Sequence, residues 1–202
     1  MSDPAHLREE DLANDPIEQI RAWFDEARAS GLAMPEAMTL ATADPEGQPS
    51  ARIVLLHGIE PGGFVFHTNY QSRKGRELEA NPSAALVLHW QPLGRQVRVE
   101  GAVERVSEAE SAGYFRTRPR GGQIGAWASR QSEPIESRVV LEERVRDLER
   151  RYEGGVPLPP FWGGYRLIPH RIELWQHGDD RLHDRFVYER TKRGWTRSRL
   201  SP

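Results

Sequence analysis

From Ala37 to Val106, apolar residues recur at every second position, and short turn-forming clusters break the run. The pattern predicts strands at Met38 to Ala43, Pro49 to Ile59, Phe64 to Thr68, Ser83 to Trp90 and Arg95 to Val106. Turns are expected at Asp44-Pro-Glu-Gly47 and Glu60-Pro-Gly-Gly63. Five strands with so little helix between them read as an antiparallel sheet curling into a barrel or sandwich. Tyr165 to Leu167, Arg171 to Gln176, Arg181 to Tyr188 and Thr196 to Leu200 are expected to return to it.

A three-and-four spacing marks the helices. Asp15 caps a helix with Pro16 in its first turn, Glu18 at the capping-box position, a stripe of Ile17, Ile20, Phe24 and Ala27, and Gly31 as stop. Ser72 to Glu79 fits a short helix with Ser72 as N-cap. Ser107 to Thr117 carries a cap and box in Ser107 and Glu110, and Ser137 to Tyr152 aligns Leu141, Val145, Leu148 and Tyr152. Residues 116–122 read as a basic loop and 157–164 as a rigid extended one. The fold class is mainly β with peripheral helices (α+β). Residues 1–14 are expected to be a flexible arm and residues 15–202 a single domain.

Composition narrows the function. The chain has 202 residues, a formal charge of −2 and 29% charged residues, so no bulk field recruits nucleic acid or an anionic membrane. The absence of cysteine excludes disulfides and thiolate chemistry, and none of the seven histidines pairs at helical spacing, so no metal site is expected. With neither an apolar h-region nor a membrane-length apolar run, a cytoplasmic protein is expected. Phosphate loops, GxGxxG, HExxH and GxSxG are absent.

The candidate chemistry is cationic and aromatic. Arg52 lies on an apolar strand and needs an anionic partner, while His57 points to the opposite face. Arg73 and Lys74 open a helix, where backbone N–H groups and the dipole favour phosphate. Tyr114 and Arg118 are four apart and reach one point, and Gln96 offers an amide to a heterocycle or is simply exposed. On the strand expected from Arg181 to Tyr188, alternation puts Arg181, His183 and Arg185 on one face and Leu182, Asp184 and Phe186 on the other. That row is either a solvated sheet edge or a site for a flat anion, and Trp175 nearby shifts the balance toward the site.

RIVLL (Arg52–Leu56), TNYQSRK (Thr68–Lys74), RQVRVEG (Arg95–Gly101), YFRTRPR (Tyr114–Arg120), QIGAWASRQS (Gln123–Ser132), VPLPPFWGG (Val156–Gly164) and RLHDR (Arg181–Arg185) together resemble the pyridoxine/pyridoxamine 5′-phosphate oxidase family. The resemblance spans about residues 15–202. It implies an FMN-binding split β-barrel, Greek-key-like, that forms a homodimer with FMN at the interface.

It implies an FMN site of Arg52, Ile53, Val54, Leu55, Leu56, His57, His67, Thr68, Arg73, Lys74, Gln96, Gln131, Ser132, Trp175 and Arg185, some from the partner chain. It implies substrate contacts from His57, Tyr114, Arg118, Gly122, Arg181, Leu182 and His183, with Arg181 and His183 catalytic. The implied reaction moves a hydride from the C4′ carbon of pyridoxamine or pyridoxine 5′-phosphate to the flavin, which O2 reoxidises to give H2O2.

The chain departs from the family pattern at His57, where Lys is usual, at Gly122, where Ser is usual, and in an arm without Arg-x-x-Tyr. A related oxidase acting on another aromatic, of phenazine-biosynthesis type, and a non-catalytic FMN or pyridoxal phosphate carrier are the alternatives.

Overall fold

The barrel follows from strand alternation. In the computed structural model, which describes residues 6–202, Met38 and Leu40 of β1 (Ala37–Ala43) are fully buried, as are Leu86 and Leu88 of β4 (Ser83–Trp90) and Val97 and Val99 of β5 (Arg95–Arg105). Each such side chain contributes about 1.5–3 kcal/mol by leaving water. The other strands are β2 (Pro49–Glu60), β3 (Gly63–Asn69), β6 (Trp162–Gln176), β7 (Asp184–Thr191) and β8 (Gly194–Arg199).

All pairings are antiparallel, in the order β3-β2-β1-β4-β5-β6-β7-β8. β3 also pairs with β6, which closes a six-stranded barrel and leaves β7 and β8 as an extension. The run β3-β2-β1-β4 is a Greek key. Helix α1 (Pro16–Ala29) lays Ile17, Ile20, Trp23 and Ala27 into the same core; Phe24, expected on that stripe, is only partly buried. Asp15 accepts from the Ile17 N–H, without the expected box from Glu18.

β6 is one strand where two were expected. Its first half bonds β3, its last half bonds β7, and β5 runs along its length. The strand runs through Pro169 because the register slips at Glu100/Gly101, and the bulge accommodates the missing donor. A Cβ on Gly101 would lie 2.1 Å from the Ile168 carbonyl oxygen, so only glycine lets the strands approach here.

The structure corrects three further expectations. The row from Arg181 to Tyr188 is not one strand: Asp179–Arg181 form a 3-10 turn, and β7 begins at Asp184. Residues expected in the loose arm are pinned where described. The Leu7 N–H donates to Asp184, Arg199 donates to the Leu7 carbonyl, and Tyr188 donates to the Ala13 carbonyl; residues 1–5 lie outside the described part. The basic loop is largely helical, because α4 spans Arg120–Ala128.

Helices α2 (Arg73–Ala80), α3 (Glu108–Thr117) and α5 (Arg138–Arg151) complete the chain. Ser72 caps α2 and Ser107 forms the full capping box of α3, whereas Ser137 makes no capping bond to α5. No described helix is long and apolar enough to cross a membrane.

Candidate active site

Strand β2 builds one wall of a cleft of about 1020 Å³ between β2, β3, the start of α2, α3 and α4. Alternation turns Leu56 into the core and leaves Ile53 64% and Leu55 52% exposed. Two apolar side chains so displayed on a strand need a covering. The cleft brings together Arg52 through His57, His67, Thr68, Arg73, Lys74, Tyr114, Arg118, Gly122, Gln131 and Ser132.

One end of the cleft is a cluster of charges around a buried glutamate. Arg73 Nε donates to Glu77 at 2.8 Å, one turn along α2, and Arg52 reaches the same carboxylate at 3.2 Å. Arg52 also donates to Thr42 Oγ1 and to the Leu40 carbonyl. Burial alone would raise the Glu77 pKa; donors from Thr42, Ser50 and Arg73, with the Arg52 charge, outweigh it and hold it at about 2.

That carboxylate therefore stabilises the fold fully above its ordinary 4.5, and the contribution fades as pH falls toward 2. Glu77→Gln should lower the unfolding free energy at neutral pH by about 2 kcal/mol, and the gap should close in acid. Chemical denaturation across pH checks it; a gap independent of pH would show that the charge is not what matters.

Lys74 differs from its neighbours. Its side chain is buried, and its ammonium donates only to neutral oxygens: Gln131 Oε1 at 3.0 Å, Thr68 Oγ1 at 3.2 Å and Ser72 Oγ at 3.3 Å. Burial, then repulsion from Arg52, pulls its pKa down to about 8, against the pull of Glu77. Two arginines and a lysine against one carboxylate leave this end short of negative charge.

The other end is aromatic. His57 falls where the β2–β3 register slips between Leu56 and Gly58, and this bulge carries its ring to 3.9 Å from Tyr114 and 4.9 Å from His67. His67 stacks on Trp162 at 5.3 Å, and Arg118 lies over the same indole at 4.8 Å. Two buried polar atoms here, Arg118 Nη1 and His67 Nδ1, have no partner. Burial lowers the pKa of Arg118, and burial with repulsion from His57 and Arg118 brings His67 to about 4, so this imidazole is neutral at physiological pH. A Cβ on Gly122 would come 3.4 Å from Arg118, so the glycine leaves space beside the guanidinium.

The remaining expected residues lie outside this cleft. Gln96 pairs with Trp175 across β5–β6, and Trp175 pairs with Arg185 across β6–β7. His183 lies 4.6 Å from Trp175, and its Nδ1 accepts from the Gly178 N–H, which leaves Nε2 as the donor in the neutral ring. Leu182 is 67% exposed. Arg181 is exposed at φ 64°, beside Asp180 at φ 52°, two successive left-handed residues that a merely connecting turn would avoid. Arg185 does not depend on a ligand for its counter-charge, since the buried Glu173 accepts from it at 2.8 Å and from Arg98 at 3.1 Å.

Sequence reasoning missed Glu77, Glu173 and Trp162. Glu77 carried a signal, its spacing of four from Arg73; Glu173, on β6 opposite Arg98 and Val187, carried none. Among the described residues no group of three or more potential ligands is placed to hold a metal.

Residues 24–152 match the family model described as Pyridoxamine 5'-phosphate oxidase, and residues 162–202 the model of the Pyridoxine 5'-phosphate oxidase C-terminal dimerisation region. The chain is 60% identical over 199 residues to a pyridoxine/pyridoxamine 5'-phosphate oxidase of Rubrobacter xylanophilus, covering 98% of this chain and 92% of that one. It is 58% identical over 197 residues to the protein of that name from Bordetella pertussis, covering 97% and 93%. Among solved structures it is similar to PhzG from Burkholderia lata in complex with tetrahydrophenazine-1-carboxylic acid, with TM-score 0.92, 32% identity and 98% of each chain covered.

Proposed function

The chain belongs to the pyridoxamine 5′-phosphate oxidase family, and on that basis we propose that it is an FMN-dependent oxidase. It converts pyridoxamine 5′-phosphate or pyridoxine 5′-phosphate to pyridoxal 5′-phosphate, with O2 as acceptor and H2O2 as the second product. The observation that carries this reading is a single cleft with two separate ends short of negative charge. One is at Lys74 with Arg52 and Arg73; the other is at Arg118 with its unpartnered Nη1. A phosphorylated cofactor beside a phosphorylated substrate supplies both.

FMN, when bound, supplies the hydride-accepting and oxygen-reducing chemistry. Arg73 and Lys74 hold its phosphate, and Arg52, fixed by Glu77, adds charge without needing to move. Ile53 and Leu55, the displayed apolar side chains of β2, would face the flavin ring, with Val54 and Leu56 offering backbone between them and His67, Thr68, Gln131 and Ser132 around the site. Tyr114 and Arg118 hold the substrate phosphate, with His57 and Gly122 beside them. Lying outside the cleft of their own chain, Gln96, Trp175, Arg181, Leu182, His183 and Arg185 reach the site of a second copy. Residues 15–202 thus act as one domain whose site is complete only in the homodimer. Arg181 orients the pyridine ring, and His183 Nε2 donates to its polar edge.

The similarity to PhzG keeps a second reading in play, an oxidase for an unphosphorylated aromatic. Peroxide release separates them. Turnover with pyridoxamine 5′-phosphate and at least about a hundredfold less with pyridoxamine is expected, since losing both oxyanion contacts removes roughly 3 kcal/mol. Equal rates with the two amines would reject the reading.

A further inference from the structure

The bulge that aims His57 into the cleft sets it among groups that cannot keep it charged on their own. From β2 itself it faces Glu60, and that carboxylate is already bound by Arg166 of β6 at 2.7 Å. From β3 it meets His67, a neutral imidazole, and from α3 it meets Tyr114, with Arg118 and Glu110 beyond; Glu110 also accepts from Arg166, at 3.0 Å. From β6 it faces the uncharged Trp162, across His67. Without a ligand, burial outweighs Glu60 and keeps His57 below its ordinary value. Arg118 lines the same cleft; its buried Nη1 has no acceptor, and Gly122 leaves space beside its Nη2.

We propose that His57 completes the substrate-phosphate subsite by taking up a proton as the anion binds, so that affinity for the phosphorylated substrate depends on pH above neutrality. The proposal rests on the oxidase reading given above. A dianionic phosphate placed against Arg118 is a charge within reach of the imidazole, and it favours the imidazolium. Binding is then tightest where the complex holds that proton. It weakens as pH rises through the pKa that His57 has in the complex. A lysine at this position would stay charged throughout, and binding would be flat. The second ionisation of the phosphate, near pH 6, confines the test to about pH 7 and above.

The test uses the FMN-loaded protein and 4-deoxypyridoxine 5′-phosphate, which has no amine or hydroxyl at the reacting carbon. Calorimetry in buffers of different ionisation enthalpy reads the protons taken up, and comparing wild type with His57→Asn and His57→Lys cancels the ligand's own titration. Wild type is expected to take up on the order of half a proton more than either variant near pH 7.5, and to lose roughly threefold in affinity between about pH 7 and pH 8.5. The two variants, both still binding, are expected to show no such loss. Binding by wild type with no extra proton, or the same uptake by His57→Asn, would overturn the proposal, the latter by moving the proton to His67. No binding by any of the three would overturn the oxidase reading, and this proposal with it.

Discussion

Arg118→Met is expected to raise the Michaelis constant for pyridoxamine 5′-phosphate by about 10- to 150-fold and to leave the stability of the folded protein nearly unchanged. The kinetic part follows from removing a charge-assisted bond to the substrate phosphate, worth roughly 1.5–3 kcal/mol. The stability part is the unusual one. A guanidinium whose Nη1 is buried without a partner loses hydration with nothing in return, and burial already pulls down its pKa. Its contact over Trp162 returns only about 0.5–1 kcal/mol. A methionine of similar length removes both, so the thermal midpoint of the ligand-free protein should shift by no more than about 2–4 °C in either direction. Steady-state kinetics and a thermal scan of one preparation check both halves. A midpoint many degrees lower with an unchanged Michaelis constant would make Arg118 a structural residue.

Lys74→Met is expected to weaken FMN binding by about 10- to 150-fold, from the same scale for a charge-assisted bond. The arginines beside it bond Glu77, but the lysine bonds only neutral oxygens and feels that carboxylate from a distance, so its ammonium is left to bond an arriving anion. Its pKa of about 8 adds a signature. In the free protein the ammonium is charged below that value and increasingly neutral above it, so wild-type affinity for FMN should hold through neutrality and decline as pH rises past 8. The variant should lack that decline. Fluorescence quenching of FMN titrated at several pH values reads both, and a variant that kept the wild-type profile would move the phosphate elsewhere.

Legibility in the sequence divided along physical lines. Alternation gave the barrel strands because one face of each is buried, and a slip of one residue would turn every side chain around. Ser72, Ser107 and Asp15 marked helix starts, because orphaned N–H groups select such side chains locally. The continuity of β6 past Pro169 was not legible, since it depends on a bulge opposite Gly101 in a distant strand. Nor was the turn at Asp179–Arg181: alternation through RLHDR suggested a strand, and two left-handed residues in succession have no signature without glycine.

The cationic candidates were legible by residue type, but their counter-charges were not. In the sequence the row near the C-terminus read as either a solvated edge or a site for an anion that would neutralise it. Glu173 supplies that for Arg185, and Glu77 does so for Arg52 and Arg73. Among the cationic candidates Lys74, Arg118 and Arg181 make no ion pair with a described residue, and the functional reading rests on the first two, which line the cleft.

The most direct test is the visible spectrum of the purified protein under anaerobic conditions, before and after pyridoxamine 5′-phosphate is added. A flavin absorption near 450 nm that bleaches with the phosphorylated amine and returns on admitting air is expected, about one flavin per chain. A colourless protein that takes up no FMN, or a flavin spectrum indifferent to the substrate, would contradict it.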